Sequence, residues 1–304
     1  MATEAIRRQP LWVRNQLCVH WVQTLYPTFH PLSANLMREI CAFLDYFHTK
    51  IAAISNDQLW LYDVQRREVV QMHLSLSFSY GSVYCFPSPQ RLMCIGSFPD
   101  MQCAFLIALS TGEVERIAPL REYRIAPGIL PYQGNVYLFG GLNKERTKSC
   151  EMRGKGTGKW RVLPEMACQR ANFSPCLYGQ EVILLSVHAV SPILELFHII
   201  KETFQAVSLA IPVTKPTFAC QFIQNDDLIV ITEEKVLLKW RIGQNEVQVG
   251  TLETKQLIRG QGQPVMYGKS VYFGAESRGK LVCFDMDREE MYEVTDFMPV
   301  GSIN

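Results

Sequence analysis

The chain repeats itself. An apolar run that follows a turn begins at Ile51, Leu92, Val136, Val182, Leu228 and Val271, in steps of 41, 44, 46, 46 and 43 residues. A second apolar column passes through Tyr62, Ile107, Met152, Phe197, Trp240 and Phe284, spaced by 45, 45, 45, 43 and 44. In five of the six units a hydrophobic residue returns seven positions later, at Val69, Val114, Phe204, Val247 and Met291, whereas Trp160 stands eight after Met152. Turn-forming residues such as Ser110-Thr111-Gly112 and Gly243-Gln244-Asn245 lie between the two, as a β-hairpin requires. A unit of about 45 residues made of short strands cannot bury a face alone, so successive units must stack. The expected fold is all-β, a six-bladed propeller over residues 46–304.

Each blade needs an inner strand, and "GSVYCF", "APGILPY", "FSPCLY", "FACQFI" and "QPVMY" supply five. Unit one has no such strand before Ile51. Gly81-Ser82-Val83 matches Gly301-Ser302-Ile303, so the C-terminal tail is expected to complete the first blade and remove a free sheet edge.

The stretch from Gly134 to Arg170 resembles a kelch repeat. Val136–Gly141 is the strand ending in a glycine pair, followed by Trp160, Leu163-Pro164, Met166 and Arg170. Elsewhere the glycine pair becomes Ile95-Gly96, Leu185-Ser186, Ile231-Thr232 and Phe273-Gly274. The resemblance spans roughly residues 50–304 and implies a divergent kelch array.

Residues 1–45 follow a different pattern and form a separate N-terminal segment. Leu32, Leu36, Ile40, Phe43 and Leu44 lie on one helical stripe, with Ser33 as a candidate cap and a second short helix expected behind Pro10. "LMREICAFL" resembles the first helix of an F-box, which implies docking to a ubiquitin-ligase scaffold through residues 30–45; packing as a cap on the propeller is the other reading.

Hydrophobic residues make up 48% of the 304, enough for a large core, and 30 Lys and Arg against 29 Asp and Glu leave a net charge of +1. That balance argues against nucleic acid or an anionic membrane as the main partner. No apolar run reaches the ~20 residues of a membrane span, and the start, with Arg7, Arg8, Arg14 and Glu4, does not read as a secretory signal. The ten cysteines are scattered through apolar strands without a C-x-x-C pair. They read as buried thiols of a cytoplasmic protein, with no metal site.

Chemistry-bearing motifs are few. "GKGTGKW" has the wrong spacing for a phosphate-binding loop, and Trp160 stands where a magnesium-binding hydroxyl belongs. The seven cations between Asn143 and Arg161 read as a solvated loop, phosphate or RNA binding being the alternative. Asp226-Asp227, Glu233-Glu234 and Glu289-Glu290 fall at expected turns and face water. One column does suggest a site. Arg124, Arg170, Lys215 and Arg259 each lie eight residues before the end of an inner strand, and Tyr80 takes that place in unit two. These residues, with Asn172 beside Arg170, are expected at a channel mouth, where they either grip an acidic protein segment or brace adjacent blades. The expected function is that of an adaptor: a non-enzymatic protein-binding module with no cofactor. A ligase substrate receptor and a kelch-type enzyme with its active site at the channel mouth are the alternatives.

Overall fold

The computed structural model describes residues 50–296 except 65, 79–81, 89, 97–99, 144, 172, 186–193, 208–217, 233, 245, 253–263, 268 and 275–279. The two expected N-terminal helices, the F-box-like segment and the closing tail therefore lie outside the described residues. Among those described there is no helix, and none long and apolar enough to cross a membrane.

The described residues hold twenty-four strands, of which twenty-two belong to six blades and two form a small separate hairpin. Blade one contributes β1 (Lys50–Asp63) and β2 (Glu68–Phe78). Blade two is β3 (Val83–Ser88), β4 (Arg91–Ile95), β5 (Ala104–Ala108) and β6 (Val114–Arg116). Blade three is β7 (Gly128–Tyr132), β8 (Asn135–Phe139), β11 (Cys150–Arg153) and β12 (Trp160–Leu163), with a small hairpin, β9 (Leu142–Asn143) and β10 (Glu145–Arg146), between its second and third strands. Blade four is β13 (Cys176–Tyr178), β14 (Glu181–Leu185), β15 (Leu194–His198) and β16 (Thr203–Val207). Blade five is β17 (Phe218–Gln224), β18 (Asp227–Thr232), β19 (Val236–Arg241) and β20 (Val247–Thr251). Blade six is β21 (Val265–Tyr267), β22 (Ser270–Gly274), β23 (Lys280–Asp285) and β24 (Glu290–Asp296). In each four-stranded sheet the strands lie in chain order and pair antiparallel.

Radial position follows the sequence pattern. The second strand of a blade has a neighbouring blade on both faces, so it must be apolar throughout; β8, β14 and β18 are buried over nearly their whole length. The fourth strand lies at the rim, and β6 and β20 are accordingly mostly solvated. Inner hairpins close tightly. Gln133 and Gly134 both take positive φ, 51° and 79°, between the paired Tyr132 and Asn135, which is the twist a two-residue hairpin needs.

Two details differ from the expected pattern. The two strands expected within residues 51–63 are one continuous strand, β1, whose pairing with β2 shifts register between Asn56 and Gln58. In blade three the column residue is Arg153, not Met152. Arg153 pairs with Trp160 as Phe197 pairs with Phe204 and Trp240 with Val247. The seven-residue step therefore holds in all six blades, and the extra length lies upstream, in the β9–β10 segment.

The core is divided into six seams. Leu61 and Leu74 of blade one meet Leu92 and Ile107 of blade two. Met93 and Leu106 meet Leu138 and Trp160 of blade three, whose Tyr137 and Phe139 meet Leu184 and Phe197 of blade four. Ile183 and Leu194 meet Val230 and Trp240 of blade five, and Phe222 and Ile231 meet Phe273 and Phe284 of blade six. Tyr272 and Leu281 of blade six then pack against Trp60 and Tyr62 of blade one. The sixth seam closes the ring.

Candidate functional site

The linkers that carry the chain from one blade's rim to the next blade's inner strand hold the cation column, and two of them are described at Arg124 and Arg170. Each arginine joins two blades. The Arg124 backbone lies on blade two: its amide donates to Met101 O at 3.3 Å, and a Cβ at Gly96 would stand 2.6 Å from its carbonyl oxygen. Its side chain enters blade three. Arg170 repeats the pattern one blade on, with its carbonyl accepting from Gly141 N at 2.7 Å and its side chain entering blade four.

Both guanidinium groups are buried, Arg124 at 0% and Arg170 at 2% exposure, so each must be neutralised and hydrogen-bonded where it stands. Arg124 Nη2 ion-pairs with Glu151 Oε1 at 2.7 Å and donates to Ser149 Oγ at 3.1 Å, while Nη1 donates to Gly140 O and Ser149 O at 2.8 and 3.1 Å. Arg170 Nη2 pairs with Glu195 Oε2 at 2.5 Å, and Nη1 donates to Cys168 Sγ at 2.7 Å. Burial holds the Arg170 pKa below the ordinary guanidinium range, against the opposing pull of Cys168 and Glu195. The same glutamates also receive the linker backbone. Glu151 accepts from Arg121 N and Glu122 N at 2.9 and 3.2 Å, and Glu195 accepts from Ala167 N at 2.6 Å.

These arginines are braces. A buried cation with its carboxylate at 2.5–2.7 Å holds linker to blade and offers no open fork to a ligand. Glu151 and Glu195, which complete the braces, were missed in sequence because they lie 27 and 25 residues from their partners. A signal existed: each stands two before the hairpin column residue, Arg153 or Phe197. At the equivalent site blades two, five and six carry Phe105, Leu238 and Val282, as the strand pairing aligns them. The remaining candidate residues, Tyr80, Asn172, Lys215 and Arg259, lie outside the described residues.

The glycine pair serves the same junctions. A Cβ at Gly140 would overlap the Arg170 carbonyl, and one at Gly141 would stand 2.9 Å from Arg124 Cβ, so both linkers press on these two residues. Trp160 ties blade three backwards by donating from Nε1 to Ala118 O at 2.9 Å.

Two expectations about polar groups change. Asp227 is buried rather than solvated, with Arg241 Nε at 2.6 Å and Lys239 Nζ at 3.5 Å; the Arg241 hydrogen bond holds its carboxyl below the usual range. Its neighbour Asp226 accepts from Tyr178 Oη at 2.8 Å across the seam between blades four and five. Glu234, Glu289 and Glu290 are exposed as expected. The described cysteines are free thiols, and burial pushes Cys94, Cys150 and Cys176 up to about 12, far from the thiolate a nucleophile needs. Among the described residues no three His, Cys, Asp or Glu side chains are grouped to hold a metal.

Ring and seams define the class: a six-bladed β-propeller. No family model matches the chain and no curated protein matches it in sequence. Solved structures similar to it include that of YjhT, at 11% identity and a TM-score of 0.61, covering 81% of this chain and 97% of that one. A chain of the nidogen/laminin complex is similar at 13% identity and a TM-score of 0.60, covering 84% and 95%. At such identities the likeness bears on the fold alone.

Proposed function

We propose that this propeller is a kelch-like, non-catalytic protein-binding module, and that it grips an acidic protein segment through Lys215 and Arg259. One observation carries the reading. Where the linker cation is Arg124 or Arg170, the following blade supplies Glu151 or Glu195 to neutralise it. Where the column has Lys215 and Arg259, the aligned third-strand residues are Leu238 and Val282, and where it has the uncharged Tyr80 the aligned residue is Phe105. The positions that carry the brace carboxylates in blades three and four are thus aliphatic in blades five and six, and a partner's carboxylate is the natural counter-charge for Lys215 and Arg259. Arginine binds a carboxylate with two parallel hydrogen bonds and lysine with a point charge; Tyr80 and Asn172 add uncharged polar contacts. The six seams give a rigid frame for such a mouth, and one similar fold occurs in a protein–protein assembly, the nidogen/laminin complex. Free buried thiols support a reducing compartment, the cytoplasm.

The test uses the full chain and an immobilised library of Asp- and Glu-rich peptides. Lys215→Ala with Arg259→Ala is expected to weaken retention by about tenfold or more, most at low salt, with an unchanged melting temperature. Undiminished binding by the stable double variant rejects the site. Retention of small carboxylic acids, without peptide, would favour the enzyme reading instead.

A further inference from the structure

The opposite ends of the same strands hold a feature the braces do not use. β11 runs from Cys150, opposite Phe139, to Arg153, opposite Val136, so Arg153 lies at the end of blade three remote from Arg124. In the other five blades its column position is Tyr62, Ile107, Phe197, Trp240 or Phe284, each buried in a seam. An arginine does not complete such a seam. Arg153 is half-buried, and its Nε is enclosed without a hydrogen-bond partner. No described residue hydrogen-bonds or ion-pairs with its guanidinium. Glu115, the acid whose field reaches it, is held by Arg91 at 3.2 Å. Burial lowers the Arg153 pKa; Glu115 opposes this and the like charge of Arg91 adds to it.

The hairpin loop that follows lies over this guanidinium. Gly158 N donates to Gly154 O at 2.9 Å and closes the loop. A Cβ at Gly158 would stand 3.4 Å from Arg153 Nη2, whereas one at Gly156 would meet nothing within 4 Å. Lys155 and Lys159 on the loop are exposed, and Lys155 N is anchored by Asn135 Oδ1 at 2.9 Å. Arg91, Arg153, Lys155 and Lys159 carry four positive charges against the single negative charge of Glu115, a surplus of three.

We infer that this loop end of blade three is a seat for a phosphate group on a protein segment, with Arg153 as its principal donor, Arg91 beside it, and Lys155 and Lys159 at the rim. A phosphate supplies acceptors for the two terminal nitrogens of Arg153, for which no described residue provides one, whereas the enclosed Nε is out of its reach; a guanidinium meets two phosphate oxygens at once. The surrounding charge favours one phosphate over a polyanion. Glu115 interrupts the cations on one side, and Arg161 is spent on an ion pair with Glu202 on the other, so no continuous basic track exists among the described residues for a nucleic-acid backbone.

The seat shares no residue with the Lys215–Arg259 pair, so each reading is tested by its own variants. The test measures binding of a degenerate phosphoserine peptide library, and of its unphosphorylated counterpart, to the full chain. The phosphorylated library is expected to bind about tenfold or more tightly, and Arg153→Ile is expected to abolish the difference. Isoleucine matches Ile107 at the equivalent site of blade two, so the melting temperature should hold or rise. Lys155→Ala with Lys159→Ala, both exposed, should weaken the preference without touching a seam, and gives the same reading if Arg153→Ile does not fold. Absence of a phosphate preference, or its survival in Arg153→Ile and in the lysine double variant, overturns the proposal. A stronger Arg153-dependent affinity for an RNA oligonucleotide or for anionic vesicles overturns the assignment to a protein segment.

Discussion

Arg170 and Glu195 each give up nearly all their hydration, and their attraction must offset that loss. Removing one charge of such a pair leaves the other buried and uncompensated, which typically costs about 3–5 kcal/mol, whereas replacing both with apolar groups of similar volume is close to neutral. This chain shows that the site accepts aliphatic residues, because Leu238 and Val282 occupy the position of Glu195 in blades five and six. Glu195→Leu alone is therefore expected to lower stability by about 3–5 kcal/mol in urea titrations, and Arg170→Met with Glu195→Leu to recover most of it. A double variant as unstable as the single one would mean that the hydrogen bonds to Ala167 N and Cys168 Sγ, not the charges, hold the junction.

At the scale of strands and turns, the repeat was legible because hairpin geometry fixes the distance between paired residues. Column and partner are seven apart in every blade, and hydrophobic residues mark them in all but one. That exception, Arg153, is why Met152 was read into the column: an apolar residue next door concealed a charged one. The braces were not legible, since an arginine and a glutamate 25 or 27 residues apart meet only once the blades stack. The same stacking explains the glycines. Gly140 has φ 62° and an Arg170 carbonyl where its Cβ would be. Gly140→Ala adds about 1–2 kcal/mol of left-handed strain to a clash with backbone that cannot swing away. Gly156, one hairpin away, has open space and no positive φ. Gly156→Ala is expected to be neutral or to stabilise by up to about 1 kcal/mol through the unfolded chain. Equal effects of the two substitutions on the urea midpoint would show that the linker contact at Gly140 is not what demands glycine.

Across the whole molecule the question is whether the ring behaves as one cooperative unit or as an open array with a weak end. Five seams join blades consecutive in sequence, and the sixth joins blade six to blade one through Trp60, Tyr62 and Val64 against Tyr272, Leu281 and Cys283. An open array would leave blade one with a bare apolar face, and such terminal units fray ahead of the rest. In the closed ring Trp60 is 2% exposed, so Trp60→Ala removes a large buried side chain and leaves a cavity, at a cost of about 3–5 kcal/mol. The pattern of loss distinguishes the two cases better than its size. In a closed ring, opening the sixth seam exposes both of its walls, so hydrogen exchange should rise together in β1 and in β22 and β23, although more than 200 residues of chain separate them. Because every remaining seam then belongs to an array with two free ends, the midpoint of the global transition should fall as well, with far-UV and fluorescence signals still coincident. Faster exchange confined to β1 and β2, with an unchanged global midpoint, would show instead that blade one is an appendage and that the sixth seam contributes little to the ring.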